Sequence, residues 1–340
     1  MDVVRTLTCV LIIEGHVIKY IKDYNGFLVD LLAKFLLGVV FVFFILSSFG
    51  LTVSYYKHGI PSCRKWYYKR FMRVVPPYWA VVVAYYVMLK CVQQVYPSIE
   101  FNYTCFDLTM YILLLRNFVQ ESWWMFEHLW FIPVIVGFYI IFPVMVAIFD
   151  RIKSLKFFLL SLLVSFSAIS ITIVSGHPFI RQNAHVFYYL PLFAAGMTAG
   201  YGVLYDRRMV TFLTSPYAFL IGCVCYVLSA LMGLSAFGTY NDCFTGIGSF
   251  LILFSIIHWC TPHIPAISTL LKNLSTYTYL AYLIHLPLVV YIIIPLFNHY
   301  AISKNVFFLG VFGIINAVAV FALAKLLYSL YYLAGYGQRR

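Results

Sequence analysis

Two residues near the N-terminus carry side chains that an apolar segment has no ordinary use for. Arg5 and His16 stand eleven positions apart in RTLTCVLIIEGH. At ~100° per residue that interval is ~1100°, which overshoots three turns by only ~20°, so both project from one face of a helix. A rise of ~1.5 Å per residue puts ~16.5 Å between them along the axis. Arg5 then sits near one membrane surface, with His16 deep on the same stripe. Glu14, two residues before His16, falls on a different face, where it is a candidate to tune a cavity or to bind an acceptor hydroxyl. A charge inside a bilayer costs at least ~2.5–3.5 kcal/mol, so ionisable groups there normally face a cavity or a partner. Histidine, with an ordinary pKa of ~6.5, suits proton transfer near neutral pH, and its ring nitrogen can also carry a transferred group briefly; both roles are open to His16. A second intramembrane histidine, His285, lies eight residues into a later apolar run, ~12 Å deep at helical rise. Pro287 follows it and removes a backbone donor, as in discontinuous helices that line cavities.

A different chemistry is written into YYKHGIPSCRKWYYKRFMRVVPPYW, residues 55–79. Arg70 and Arg73, at i and i+3, present two guanidiniums on one helical face just before an expected break at Pro76-Pro77. Arginine forks match phosphate oxygens in pairs, so this is a grip for a phosphorylated cytosolic ligand. Lys57, Arg64, Lys65 and Lys69 read as anchors to anionic lipid. Ser47 and Ser48 offer hydroxyls to a developing oxyanion, or room for close helix packing. His128 and Trp130 open another apolar run at the outer face, where they are candidates to bond and stack a ligand, or Trp130 serves as an interfacial aromatic anchor.

The elements that must carry these groups follow from composition. The chain of 340 residues is 63% hydrophobic, 20% aromatic and only 10% charged, against about 25% charged in a soluble domain. That defines an all-α polytopic membrane protein. Apolar runs fall at 3–20, 31–54, 75–95, 129–149, 155–174, 185–204, 216–235, 243–260, 277–297 and 305–333, giving about ten transmembrane helices. The stretch 108–119 is too short for the ~20 residues of a spanning helix and reads as a short non-spanning outer helix. With both termini cytoplasmic, most of the 23 lysines and arginines fall in inner segments; counting 108–119 as a crossing puts DRIKSLK on the wrong side. Residues 1–335 read as one transmembrane domain and 336–340 as a short basic tail. The net charge of +12 sets orientation and implies no nucleic acid. Eight cysteines without a CxxC pair imply neither a metal site nor a disulfide framework.

Arg5-x10-His16, VFVFFILSSF (40–49), KRFMRVVPPYW (69–79), HLWFIPVIVGFYIIFP (128–143) and STYTYLAYLIH (275–285) together resemble, in order and spacing, the integral-membrane acyltransferase-3 family. Nearly the whole chain is covered, and the HLWF stretch is similar to a variant subgroup. The resemblance implies a ten-span domain that moves acyl groups, usually acetyl, from cytosolic acyl-CoA to cell-surface or exported carbohydrate. It implies a plasma or inner membrane location, acetyl-CoA as donor and a carbohydrate or lipid-linked glycan as acceptor. Arg5 and His16 map onto the residues tied to activity, and Arg70 and Arg73 onto donor binding. Glu14 and His285 join the catalytic candidates, Ser47, Ser48 and Tyr282 the cavity lining, and His128 and Trp130 the acceptor side. Three positions depart from the family pattern: Ser48 stands where glycine is usual, Phe41 where a carboxylate is common, and Ile135 where many members have glutamate. The rival reading is a transporter or flippase of a lipid-linked sugar or acyl carrier, although the sequence shows no paired internal repeat.

Overall fold

The computed structural model describes residues 1–21, 27–60, 62–95, 104–118, 124–175, 186–233, 241–295 and 306–333. Among them every regular element is helical. In chain order these are α1 (Asp2–Ile21), α2 (Phe27–Gly38), a 3-10 turn (Val39–Phe41), α3 (Val42–His58), α4 (Cys63–Val95) and α5 (Cys105–Ile112). Then come α6 (Phe131–Ile152), α7 (Ser154–Ser175), α8 (Leu190–Tyr205), α9 (Arg207–Leu213), α10 (Pro216–Gly233), α11 (Asn241–Cys260), α12 (Pro265–Leu274), α13 (Thr278–Leu288) and α14 (Val306–Leu333). All ten apolar runs read from the sequence fall on helices, although 185, 234–235, 296–297 and 305 at their ends lie outside the described residues, as does the tail 336–340.

Among the described residues six helical stretches are long and apolar enough to cross a membrane, or seven if Arg207–Leu213 and Pro216–Met232, bent by 63°, form one span. The chain is therefore a multi-pass membrane protein. The shortfall from ten has local causes. The 20 residues of α1 include Asp2, Arg5, Glu14 and Lys19, and α8 has only 16 residues, ~24 Å at helical rise. After Leu288, α13 passes into a π-helical turn, Val289–Ile293.

The described residues form two compact units, Met1–Tyr56 with Pro191–Arg340, and Lys57–Leu190. In the first, α1 and α13 run parallel. Thr6 Oγ1 donates to the Leu271 carbonyl at 2.7 Å, Cys9 Sγ lies 3.6 Å from the Thr278 carbonyl, and His16 meets His285, so contact positions rise together along both chains. Helices α3 and α8 are parallel as well. Gly196 lies against Ile45 and Ser48, and Gly200 against Phe49 and Thr52. Two glycines one turn apart let the backbones approach, which is how helices associate where lipid removes the hydrophobic drive. Helices α10 and α11 pack antiparallel, with Gly222 and Gly248 facing each other and Ser229 sharing a hydrogen bond with Thr245.

In the second unit, α4 is one unbroken helix of 33 residues with Pro76 and Pro77 inside it. The expected break there does not occur. A proline in a helix removes one hydrogen bond and crowds the carbonyl four residues back; here the cost falls on the Met72 and Arg73 carbonyls, and the flanking turns carry the helix through. At ~50 Å, α4 exceeds the ~30 Å hydrocarbon core, leaving room for its charged first turns beyond it. The stretch 108–119, read as one short helix, holds only the second part of the eight-residue α5 and a separate 3-10 turn, Arg116–Phe118, with 119 outside the described residues; α5 is capped at its N-terminus by a reciprocal Thr104–Asp107 box. Its C-terminal carbonyls take hydrogen bonds from Tyr78 Oη at 3.1 Å and Trp79 Nε1 at 2.8 Å. Those donors supply what the missing next turn does not. Eight residues reach only ~12 Å, so α5 does not span.

Candidate functional site

Helix α1 presents Arg5, Cys9, Ile12 and His16 at steps of four, three and four, one regular stripe. At its surface end Arg5 is paired with Asp2, one turn back, at 3.4 Å. At its deep end His16 is 7% exposed and His285 is fully buried. His285 Nε2 lies 3.3 Å from His16 Nδ1, with the ring centroids 4.9 Å apart and the planes at 65°.

The acceptors around these rings assign their protons. His285 Nδ1 is 2.6 Å from the Tyr282 carbonyl. A carbonyl only accepts, so Nδ1 carries the hydrogen, and Nε2 of the neutral ring holds a lone pair. His16 Nδ1 faces that lone pair and, at 2.9 Å, the Ile12 carbonyl. Both are acceptors, so His16 also carries its hydrogen on Nδ1. The remaining nitrogen, His16 Nε2, is then the basic one. A proton arriving there makes an imidazolium whose Nδ1–H already points at His285, so the second ring orients the first and steadies its charge. A carboxylate does this work in hydrolytic triads; here the orienting group is neutral.

The surroundings come from three helices. The Tyr282 ring packs on His285 at 5.6 Å and on Phe43 of α3 at 6.1 Å. Ser47, one turn after Phe43, lies on the same side of α3. Ser48 lies elsewhere: its hydroxyl is directed at the Phe44 and Ile45 carbonyls of its own helix, at 3.0 and 3.1 Å, against Gly196. The arrangement brings His16, His285 and Tyr282 together.

Glu14 faces a different helix. Its carboxylate rests in a notch at Gly313 of α14, so that a Cβ on Gly313 would overlap it. Asn316, one turn on, is 1% exposed, and among the described residues its Nδ2 has no hydrogen-bond partner. This notch was not anticipated, although a glycine and an asparagine three apart in an apolar helix are its sequence signature. Gly313→Ala is expected to lower the unfolding midpoint, because overpacking costs about 1–3 kcal/mol. Glu14→Ala in the same chain is expected to restore most of it, since the obstacle is a flexible side chain. A double-mutant cycle by thermal unfolding in detergent measures that coupling.

The remaining candidates belong to the second unit. Arg70 is half-buried, its guanidinium 5.7 Å above the Trp66 ring, and Trp66 stacks on Phe142 at 5.7 Å. Arg73 is exposed. Among the described residues no carboxylate pairs with either guanidinium. That leaves two cations, one held on an aromatic platform, open to an anion from outside the protein. His128 is 3% exposed. Trp130 packs on Tyr189 at 5.4 Å, and its carbonyl accepts from Asn117 Nδ2 at 2.8 Å.

His16 and His285 thus form a buried histidine pair in the first unit. A family model described as an acyltransferase domain matches residues 1–327. No curated protein and no solved structure matches the chain. With a match across nearly its whole length, the chain belongs to the acyltransferase-3 family and is a membrane acyltransferase.

Proposed function

We propose that this protein moves an acyl group, acetyl by family precedent, from cytosolic acyl-CoA to a hydroxyl of a cell-surface or exported carbohydrate or lipid-linked glycan. The observation that carries this reading is the His16–His285 pair and the basic His16 Nε2 it creates. In the reaction, His16 Nε2 takes the proton of the acceptor hydroxyl as its oxygen attacks the thioester carbonyl. The carbon–sulfur bond then breaks and the departing thiolate recovers the proton, so the imidazole returns neutral. Arg70 and Arg73 hold donor phosphates; Ser47 and Tyr282 line the cavity, and His128 and Trp130 serve the acceptor. The HLWF subgroup and a plasma or inner membrane setting are part of the same proposal.

Ten crossings with cytoplasmic termini are also proposed, and the helix directions support them. Parallel α3 and α8 require an odd number of crossings between them; ten spans give three, and α5 counted as a further crossing gives four. Parallel α1 and α13 impose the same parity, with seven between them.

The test uses the full chain in nanodiscs with acetyl-labelled acetyl-CoA, following CoA release and label on glycan. Arg70→Ala and Arg73→Ala are each expected to raise the KM for acetyl-CoA by about 10- to 150-fold, the value of a charge-assisted hydrogen bond of about 1.5–3 kcal/mol. No CoA release with any acyl-CoA supplied, together with movement of a lipid-linked sugar across the bilayer, returns the chain to the transporter reading.

A further inference from the structure

Four tyrosines meet where α3 and α8 end together. The Tyr56 ring lies 5.0 Å from Tyr55, 5.1 Å from Tyr201 and 5.7 Å from Tyr205, and Tyr201 and Tyr205 are 4.9 Å apart. The glycine contacts described above set this up, because Gly196 and Gly200 fix the register that delivers Tyr201 and Tyr205 to Tyr56. Tyrosines at a membrane surface are commonly single interfacial anchors. These instead form one cluster, packed mostly edge to face, in which Tyr205 is 59% exposed.

The next residues along α8's exit are charged. Asp206 is exposed and caps α9, its Oδ1 accepting from the Arg208 backbone at 2.9 Å. Arg207 and Arg208 are exposed, and among the described residues neither pairs with a carboxylate. An open aromatic face followed by two uncommitted guanidiniums has the chemistry of a nucleotide site. The rings stack a base, which prefers π surfaces regardless of its identity, and the cations meet phosphate. On the topology proposed above, α3 and α8 both end on the cytoplasmic side, where acyl-CoA resides.

We infer that Tyr205, backed by Tyr56 and Tyr201, stacks the adenine of acyl-CoA, and that Arg207 and Arg208 take its ribose phosphate. The inference rests on the acyl-CoA reading and adds to it a nucleotide subsite built within the first unit. It divides the donor into a nucleotide, held here, and a pantetheine arm that owes nothing to these tyrosines.

The test compares binding of acetyl-CoA and S-acetyl-pantetheine to the full chain in nanodiscs, by calorimetry, for wild type, Tyr205→Ala and Tyr205→Phe. Base–aromatic stacking of about 1–3 kcal/mol corresponds to about 5- to 150-fold in affinity. Tyr205→Ala is expected to weaken acetyl-CoA within that range, with the loss confined to the ligand that carries the nucleotide, and Tyr205→Phe to bind as wild type. Equal weakening of both ligands, or none of either, overturns the stacking role. Wild type that binds acetyl-CoA no more tightly than S-acetyl-pantetheine overturns the nucleotide site while leaving the donor reading standing. If wild type binds neither, the acyl-CoA reading falls and this subsite falls with it.

Discussion

His16→Ala is expected to lower the turnover of acetyl-CoA by about 10²- to 10⁴-fold, the usual contribution of a positioned general base, while the protein still binds the donor. Two features make the expected effect large. His16 is the ring whose Nε2 holds the lone pair, since its Nδ1 hydrogen is directed at Ile12 and His285. Its replacement also strands His285, whose Nε2 then faces an apolar gap. His16→Gln separates the two effects, because an amide can still donate to His285 but cannot take up a proton at neutral pH. Both variants should therefore lose turnover, and glutamine should retain more thermal stability than alanine. Rapid-quench measurement of CoA release, with calorimetric binding of acetyl-CoA alongside, checks both points. Full turnover in His16→Ala would remove the histidine from the mechanism.

The second large effect concerns assembly. Gly196→Ala is expected to abolish recovery of folded protein or to destabilise it by several times the ordinary overpacking cost of about 1–3 kcal/mol. A Cβ there overlaps both Ser48 Oγ and the Ile45 carbonyl oxygen. The first obstacle is a side chain and the second is backbone. Ser48→Ala combined with Gly196→Ala should therefore recover little, because α3 itself has to move. The Gly313 notch gives the opposite result, since its obstacle is the Glu14 side chain alone. Size-exclusion yield and the unfolding midpoint of Gly196→Ala, with and without Ser48→Ala, decide the matter.

The apolar runs placed the helices because lipid imposes a length that composition reveals directly. The sequence also placed His16 and His285 at similar depth, since both were counted from a membrane edge along a helix. Their contact was beyond it, because 269 residues separate them and pairing depends on which helices become neighbours. Glu14's partner was hidden for the same reason, a glycine with no side chain to announce it. Pro76-Pro77 misled: a proline signal that ends helices in water is overridden inside a long apolar one, where leaving the helix exposes more backbone than staying in it. The tyrosines of α3 and α8 read separately as interfacial residues, and only the parallel packing of the two helices gathers them.

The paired contacts of α1 and α13 share one arithmetic. Cys9 and His16 are seven residues apart, as are Thr278 and His285, and each contact joins positions 269 apart. Deleting one residue between Cys9 and His16 turns the imidazole by ~100° and draws it back by ~1.5 Å, so insertions and deletions are barred from these two turns even where any apolar residue would serve. Equal spacing also means that one helix cannot slide along the other without breaking both contacts at once. The two contacts therefore hold the helices in one register.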